Sequence, residues 1–267
     1  MVYQITEPTA PRVPVVISVP HCGVAFPDDI RDQYVPDLIK NPEDTDWFVD
    51  RLYDFAPAMG ITLIKAHYSR WVIDLNRNPE STPLYNDGRV ITALTPATNF
   101  LGDALYQGST PDEAEVQRRL EQYYRPYHQK ISDLLDDLQK EFTHVLLYDA
   151  HSIKQVVTTI HSEPFPDLLL GSNDENSAHP DLIKTALQAL GAGDYSLEHN
   201  TLFKGGHITR SFGQPERKRH ALQLERSKVL YMDDTETQYA PDRADKLKTV
   251  LKPMFEELIK VLQGLNK

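Results

Sequence analysis

His144-Val145-Leu146-Leu147-Tyr148-Asp149-Ala150-His151-Ser152 decides the fold. An apolar run of strand length that stays hydrophobic at every position, rather than alternating, belongs to a strand covered on both faces, as in a parallel sheet. Val13-Pro14-Val15-Val16-Ile17-Ser18-Val19-Pro20-His21-Cys22-Gly23 repeats the pattern near the N-terminus, again with a histidine just beyond the apolar stretch. In open α/β sheets ligands collect at the carboxyl ends of the strands. Two imidazoles delivered there point to a metal site.

Working outward, strands are expected at 13–19, 61–66, 71–75, 144–148 and 220–224, with a short one at Leu168-Leu169-Leu170. Helical spacing of Trp47, Phe48, Leu52 and Phe55 predicts a helix over 43–59, stopped by Gly60. Further helices are expected at 112–141, with a kink near Arg125 because Pro126 follows, at 181–190 before Gly191, and at 240–265 around Pro253. Residues 1–10 read as an extended lead-in, and 202–209 is ambiguous because Gly205-Gly206 interrupts a strand-like segment. The stretch 78–112, rich in Pro, Gly, Asn and Thr, reads as a long loop serving as lid or binding loop. Strands alternating with helices predict a single α/β domain over 1–267 with a mostly parallel sheet.

Composition narrows the function. The formal charge of −11 leaves no basic stripe for displacing counterions from phosphates, so a nucleic-acid partner is not expected. No apolar run approaches membrane-spanning length, and the N-terminus has no export pattern, so a cytoplasmic protein without membrane contact is expected. The single cysteine, Cys22, cannot form an internal disulfide and fits a reducing compartment. As a nucleophile it would need His21 as its base, whereas His21 is better used on a metal.

Catalytic zinc takes three protein ligands and leaves a position open. With His21 and His151 as two, the third is a carboxylate, and Asp44-Thr45-Asp46 offers two candidates. Acids at a helix start also cap free N–H groups, so the roles divide: Asp46 as ligand, Asp44 as cap. Asn76-Arg77 follows an apolar stretch. The arginine fork suits a substrate carboxylate, or alternatively a surface ion pair with Asp74. Arg70 would face the same cavity and polarise a carbonyl oxygen. Glu225 closes the strand Ala221–Leu224 and is either a salt-bridge partner or the general base beside an activated water. Arg210 is a further anion clamp or a solvated loop residue. No phosphate-binding loop and no serine-nucleophile elbow occurs.

At these residues the chain resembles the N-formylglutamate amidohydrolase (N-formylglutamate deformylase) family. The resemblance spans nearly the whole chain and rests on Ser18–Gly23, Asp44–Tyr53, Ser69-Arg70 through Arg77, Arg125–His128, Asp149–Ser152, Phe203–Arg210 and Ala221–Glu225. That family is similar in turn to the zinc carboxypeptidase and aspartoacylase group. The resemblance implies a three-layer α/β/α fold with a mixed, mostly parallel central sheet, zinc-exopeptidase-like. It also implies one zinc ion per chain, or another divalent metal, held by His21, Asp46 and His151. Asn76 and Arg77 would bind substrate carboxylate, Arg70 the carbonyl, and Glu225 would be the base. The implied activity is hydrolysis of a small N-acyl acidic amino acid, N-formyl-L-glutamate first, within histidine catabolism, by a monomer or homodimer. The alternatives are a deacylase or carboxypeptidase-like enzyme of other preference, or a non-catalytic metal-stabilised carboxylate-binding protein. The chain departs from the family pattern where a Cys is expected in the segment matching Thr92–Pro96 and another after Gly171–Asp174, and where His207 replaces the usual Tyr after the glycine pair. These differences bear on acyl and amino-acid preference.

Overall fold

The apolar runs at 13–19, 61–66, 144–148 and 220–224 form adjacent parallel strands, because each is buried on both faces and only a sheet covered by helices offers that environment. The computed structural model describes residues 1–80 and 93–267. Its strands are β1 (Tyr3–Thr6), β2 (Val15–Val19), β3 (Thr62–Ala66), β4 (Val145–Ala150), β5 (Leu168–Gly171), β6 (Leu197–His199) and β7 (Arg219–Arg226). Among the described residues they make one seven-stranded sheet in the order β1-β3-β2-β4-β7-β5-β6. The neighbours β3, β2, β4 and β7 run parallel, β1 lies antiparallel on β3, and β5 is antiparallel to β7 and parallel to β6. The sheet is therefore mixed and mostly parallel, as expected.

The helices are α1 (Asp28–Arg31), α2 (Val49–Leu52), α3 (Glu113–Arg119), α4 (Arg125–Leu138), α5 (Pro180–Leu190), α6 (His207–Phe212) and α7 (Pro241–Leu265). Side chains alternate across each strand, so two cores form. Val15, Ile17, Leu146, Tyr148, Leu222 and Leu224 pack under α2, α5 and α7. Val16, Val145, Leu147 and Ala221 pack on the other face, with α4 and α6. Helices on both faces make the three layers. None of the described helices is long and apolar enough to cross a membrane.

Several sequence expectations change. Trp71–Leu75 is not a strand: Val72 bonds back to Ser69, and the amide of Asp74 goes to Leu94. Its apolar character comes from burial of Trp71, Val72, Ile73 and Leu75 in the second core, which periodicity cannot tell from a strand. The helix expected over 43–59 shrinks to α2 and a 3₁₀ turn at Pro57–Met59, because Phe48 takes a left-handed conformation (φ 62°) that no continuous helix admits. Near Arg125, where a kink or break is expected, the helical residues continue without interruption but change their winding. Leu120–Tyr124 widens into a π-helical turn just ahead of Pro126, which has no N–H for the carbonyl behind it and crowds that carbonyl. The lead-in contains β1, the ambiguous 202–209 ends in α6, and β6 was not foreseen. Part of the expected lid, residues 81–92, lies outside the described residues.

The end of β5 fixes the loop that leads to α6. A methyl group on Gly171 would meet the backbone nitrogen of Gly205 at 2.5 Å, so the two chains approach only because Gly171 has no side chain. Gly171→Ala is therefore expected to lower the unfolding free energy by about 1–3 kcal/mol, read from a urea titration with unchanged m value. Gly264→Ala, in the last turn of α7 with nothing within 4 Å of the added carbon, is expected to raise it by less than about 1 kcal/mol. Equal effects from the two substitutions would contradict the close approach at Gly171.

Candidate metal centre

Three neighbouring parallel strands end at one edge. Ile17 of β2 is level with Tyr148 of β4, and Ala150 of β4 is level with Leu224 of β7. Continuing that register puts His151, just past β4, level with Glu225, the penultimate residue of β7, and His21, just past β2, one position further on. Adjacent strands stand about 4.8 Å apart, and the rings of His21 and His151 lie 4.9 Å apart, centroid to centroid. The amide of His151 still bonds to the Leu224 carbonyl, so the register persists into the site.

The acidic member arrives from a loop. The amide of Asp46 donates to the carbonyl of His21 (2.9 Å), which brings residues separated by a long loop into contact. Oδ2 of Asp46 then faces both imidazoles, 3.3 Å from Nδ1 of His151 and 3.7 Å from Nδ1 of His21. That oxygen is buried and makes no hydrogen bond. Ligand atoms placed about 2.0–2.1 Å from one tetrahedral zinc ion stand roughly 3.3 Å apart. The His21–Asp46–His151 donor set thus fits one divalent cation in both spacing and chemistry. Its orphaned carboxylate oxygen is what such an ion would satisfy.

Each imidazole is backed by a second carboxylate. With Nδ1 turned to Asp46, Nε2 carries the hydrogen, and His21 donates to Oδ1 of Asp74 at 2.8 Å. Nε2 of His151 lies 2.9 Å from Oδ2 of Asp149. Such partners fix ring orientation and make the metal-facing nitrogen more basic. Both aspartates went unassigned to this role from sequence. Asp149 stands two residues before His151, so strand alternation puts both on one face, and that signal was available.

Asp74 also organises the arginines. Its Oδ2 accepts from Arg70 (2.6 Å) and lies 3.6 Å from Nε of Arg77, while Oδ1 accepts the amide of Asn76. The Asp74–Arg77 ion pair considered from sequence therefore exists, but it is buried on the carboxylate side and belongs to the site. Arg70 spreads over the Phe100 ring, 4.8 Å from its centroid. Asn76 accepts the amide of Ile208 on Oδ1, and its Nδ2 sits 3.0 Å from Nε2 of His151. Arg210 lies further along α6, its Nε bonded to the Gly205 carbonyl. The structure thus links His21, Asp46, His151, Arg70, Asn76 and Arg77 through direct contacts, and Glu225 stands level with His151 on the neighbouring strand.

Asp44 does not cap a helix. Its carboxylate accepts from the indole of Trp71 and the amide of Phe100, so it is a buried tie between loops. Cys22 is half-buried with its thiol against the Val19 carbonyl, and burial pushes its pKa well up, which suits packing rather than nucleophilic attack.

The electrostatics separate the two kinds of carboxylate. Burial opposes ionisation of Asp74, but Arg70, His21 and Arg77 outweigh it and hold its pKa well below the usual range. Burial opposes the charge on His151 too, yet Asp149 and Asp46 hold it well above the ordinary imidazole value. Burial and Arg70 instead lower His21. Glu225 goes the other way: burial, with Asp46 adding to it against the pull of His151, raises its pKa to about 7. A carboxyl poised there both takes and returns a proton near neutral pH.

This arrangement can be set beside known proteins. Residues 13–232 match the profile of the family described as N-formylglutamate amidohydrolase. The chain is 41% identical over 252 residues to an N-formylglutamate deformylase of Pseudomonas putida, covering 93% of each protein. It is 40% identical over the same length to the N-formylglutamate deformylase of Pseudomonas aeruginosa, again covering 93% of each. In three dimensions it superposes on the crystal structure of N-formylglutamate amidohydrolase from Ralstonia eutropha with a TM-score of 0.83, at 24% identity over 98% of both chains, a likeness of fold. By length of match and level of identity, the chain belongs to the N-formylglutamate amidohydrolase family.

Proposed function

We propose that this chain hydrolyses the amide bond of an N-acyl acidic amino acid, N-formyl-L-glutamate first, releasing formate and L-glutamate. The observation that carries the reading is the unpartnered oxygen of Asp46 facing Nδ1 of two buried imidazoles, with Glu225 next along the same sheet edge. Family membership supplies the substrate class. A role in histidine catabolism is part of this proposal, and family membership is what supports it.

His21, Asp46 and His151 would hold one zinc ion, which when bound supplies Lewis acidity to polarise the amide carbonyl and acidify a water. Glu225 takes a proton from the attacking water as its oxygen adds to the formyl carbon. The guanidinium of Arg70, locked by Asp74, faces the oxygen that gains charge and stabilises it. Glu225 then passes its proton to the amine nitrogen as the C–N bond breaks, so the proton taken from water leaves on glutamate. Arg77, with Asn76 beside it and Arg210 further along α6, holds the substrate carboxylates and so fixes the scissile bond over the ligand triad. Orientation of this kind is worth on the order of 7–11 kcal/mol of a barrier.

Chelation is the first check. Dialysis against a strong chelator is expected to abolish formate release, and one equivalent of zinc per chain to restore it. Full activity in protein free of metal would overturn the reading. Glu225→Gln is expected to lower kcat by about 10²–10⁴-fold, the usual worth of a positioned base, while zinc content stays at one per chain. Retained turnover in that variant would remove Glu225 from proton transfer. Arg77→Met is expected to reduce kcat/KM by roughly 10²-fold, mainly through KM, because it removes a charge-assisted hold on a carboxylate. A loss confined to kcat would instead place Arg77 at the reacting carbonyl.

A further inference from the structure

Lys228 has no role in the chemistry above, yet it is the buried cation next to the ligand loop. It lies two residues past β7, is 2% exposed, and has no carboxylate within 4.0 Å among the described residues. Asp46, Glu236 and Asp44 favour its charge only through their fields, burial outweighs them, and an apolar side chain would fill the space at less cost. Nζ donates to the backbone carbonyl of Glu43 at 3.1 Å, across 185 residues of sequence, and this is its hydrogen bond among the described residues. With Glu43, Asp44, Phe100 and Ser152 it lines a small cavity.

The ligand segment Glu43–Asp46 needs such a tie. It is a loop rather than the expected helix, so no helical hydrogen-bond ladder restrains it. Asp46 is tied to His21 through its amide and to Ser152 through Oδ1, at 3.2 Å, which are fastenings to the ends of β2 and β4. Asp44 is tied to Trp71 and Phe100, and Glu43 to Lys154 beyond β4. Among the described residues, no hydrogen bond other than that of Lys228 joins this segment to the chain that continues β7. Glu225 stands three residues before Lys228 on that same chain. His151 is held to β7 by the sheet itself, so the part of the triad whose place relative to Glu225 is left to this tie is the Glu43–Asp46 segment, which otherwise reaches β7 only through the ends of β2 and β4.

We propose that Lys228 is a positioning residue that locks the Glu43–Asp46 segment to the chain that continues the strand bearing Glu225, and so sets where Asp46 stands relative to Glu225. The inference rests on the metal-hydrolase reading of the site. Arg226, which also follows Glu225, does not serve the same purpose: it points to the opposite face and bonds Tyr53.

The test compares wild type with K228M, K228R and K228Q, measuring zinc affinity by chelator competition and formate release from N-formyl-L-glutamate. K228M is expected to weaken zinc binding at least fivefold and lower kcat at least tenfold, with KM within twofold. At least one of K228R and K228Q, which keep a donor for the Glu43 carbonyl, is expected to recover most of both losses. K228L replaces K228M if the latter does not fold. Wild-type zinc affinity and kcat in the apolar variant, a loss carried by KM alone, or failure of both donor variants to recover, each overturns the proposal. A wild type that neither binds zinc nor releases formate overturns the functional reading itself, a separate and distinguishable result.

Discussion

The structure depends on two buried carboxylates, Asp74 and Asp149, each holding the far nitrogen of an imidazole. Both are excluded from water, so each depends on polar partners supplied by the fold. Asp74 finds them in His21, Arg70, Arg77 and the amide of Asn76. One side chain thereby orients the imidazole of His21 and gathers the guanidiniums of Arg70 and Arg77. The ligand triad and the arginines are a single electrostatic unit, and the loss of one member leaves a buried charge elsewhere rather than a simple gap. The low pKa of Asp74 is the signature of that unit.

Much of the frame could be read from the chain because the strongest signals are burial signals. Continuous apolar runs at Val145–Tyr148 and Val15–Val19 leave one solution, a strand covered on both sides, and the histidines that follow are carried to the sheet edge by geometry. His21, His151 and Glu225 could thus be placed together before any coordinates. Burial without periodicity misleads in the same measure. Trp71–Leu75 is as apolar as a strand and is a buried turn, since the tie that bends it, Ser69 to Val72, uses backbone groups that no pattern displays.

Which aspartate joins the two imidazoles leaves a fainter mark on the sequence. Asp44 and Asp46 are chemically equivalent in sequence, and a helix start at Trp47 made the capping reading natural for one of them. What separates them is a left-handed Phe48, which breaks the helix, and the amide bond from Asp46 to His21, which turns its side chain inward. Asp44 instead satisfies the indole of Trp71, a residue nearly thirty positions on. Partners so far apart leave no periodic trace. Asp149 differs, because its spacing to His151 is a strand repeat.

Glu225 shows how alternation along one strand separates opposite chemistries. In β7, Leu222 and Leu224 belong to the core under α7, and Arg226 follows them to that face, where its guanidinium lies over the Tyr53 ring and bonds the Tyr53 hydroxyl. Ala221, Gln223 and Glu225 face the other way. Gln223 there accepts the amide of Gly206, which holds the loop before α6 against the site. A guanidinium on the same face as Glu225 would pair with it and keep it ionised, in the way Arg70 keeps Asp74. With Arg226 beneath the sheet, its field reaches Glu225 only as a weaker pull, burial remains the larger influence, and the pKa rests at about 7. The alternation of the strand therefore gives neighbouring residues opposite surroundings, one cation among tyrosines and one carboxyl whose pKa burial lifts to about 7.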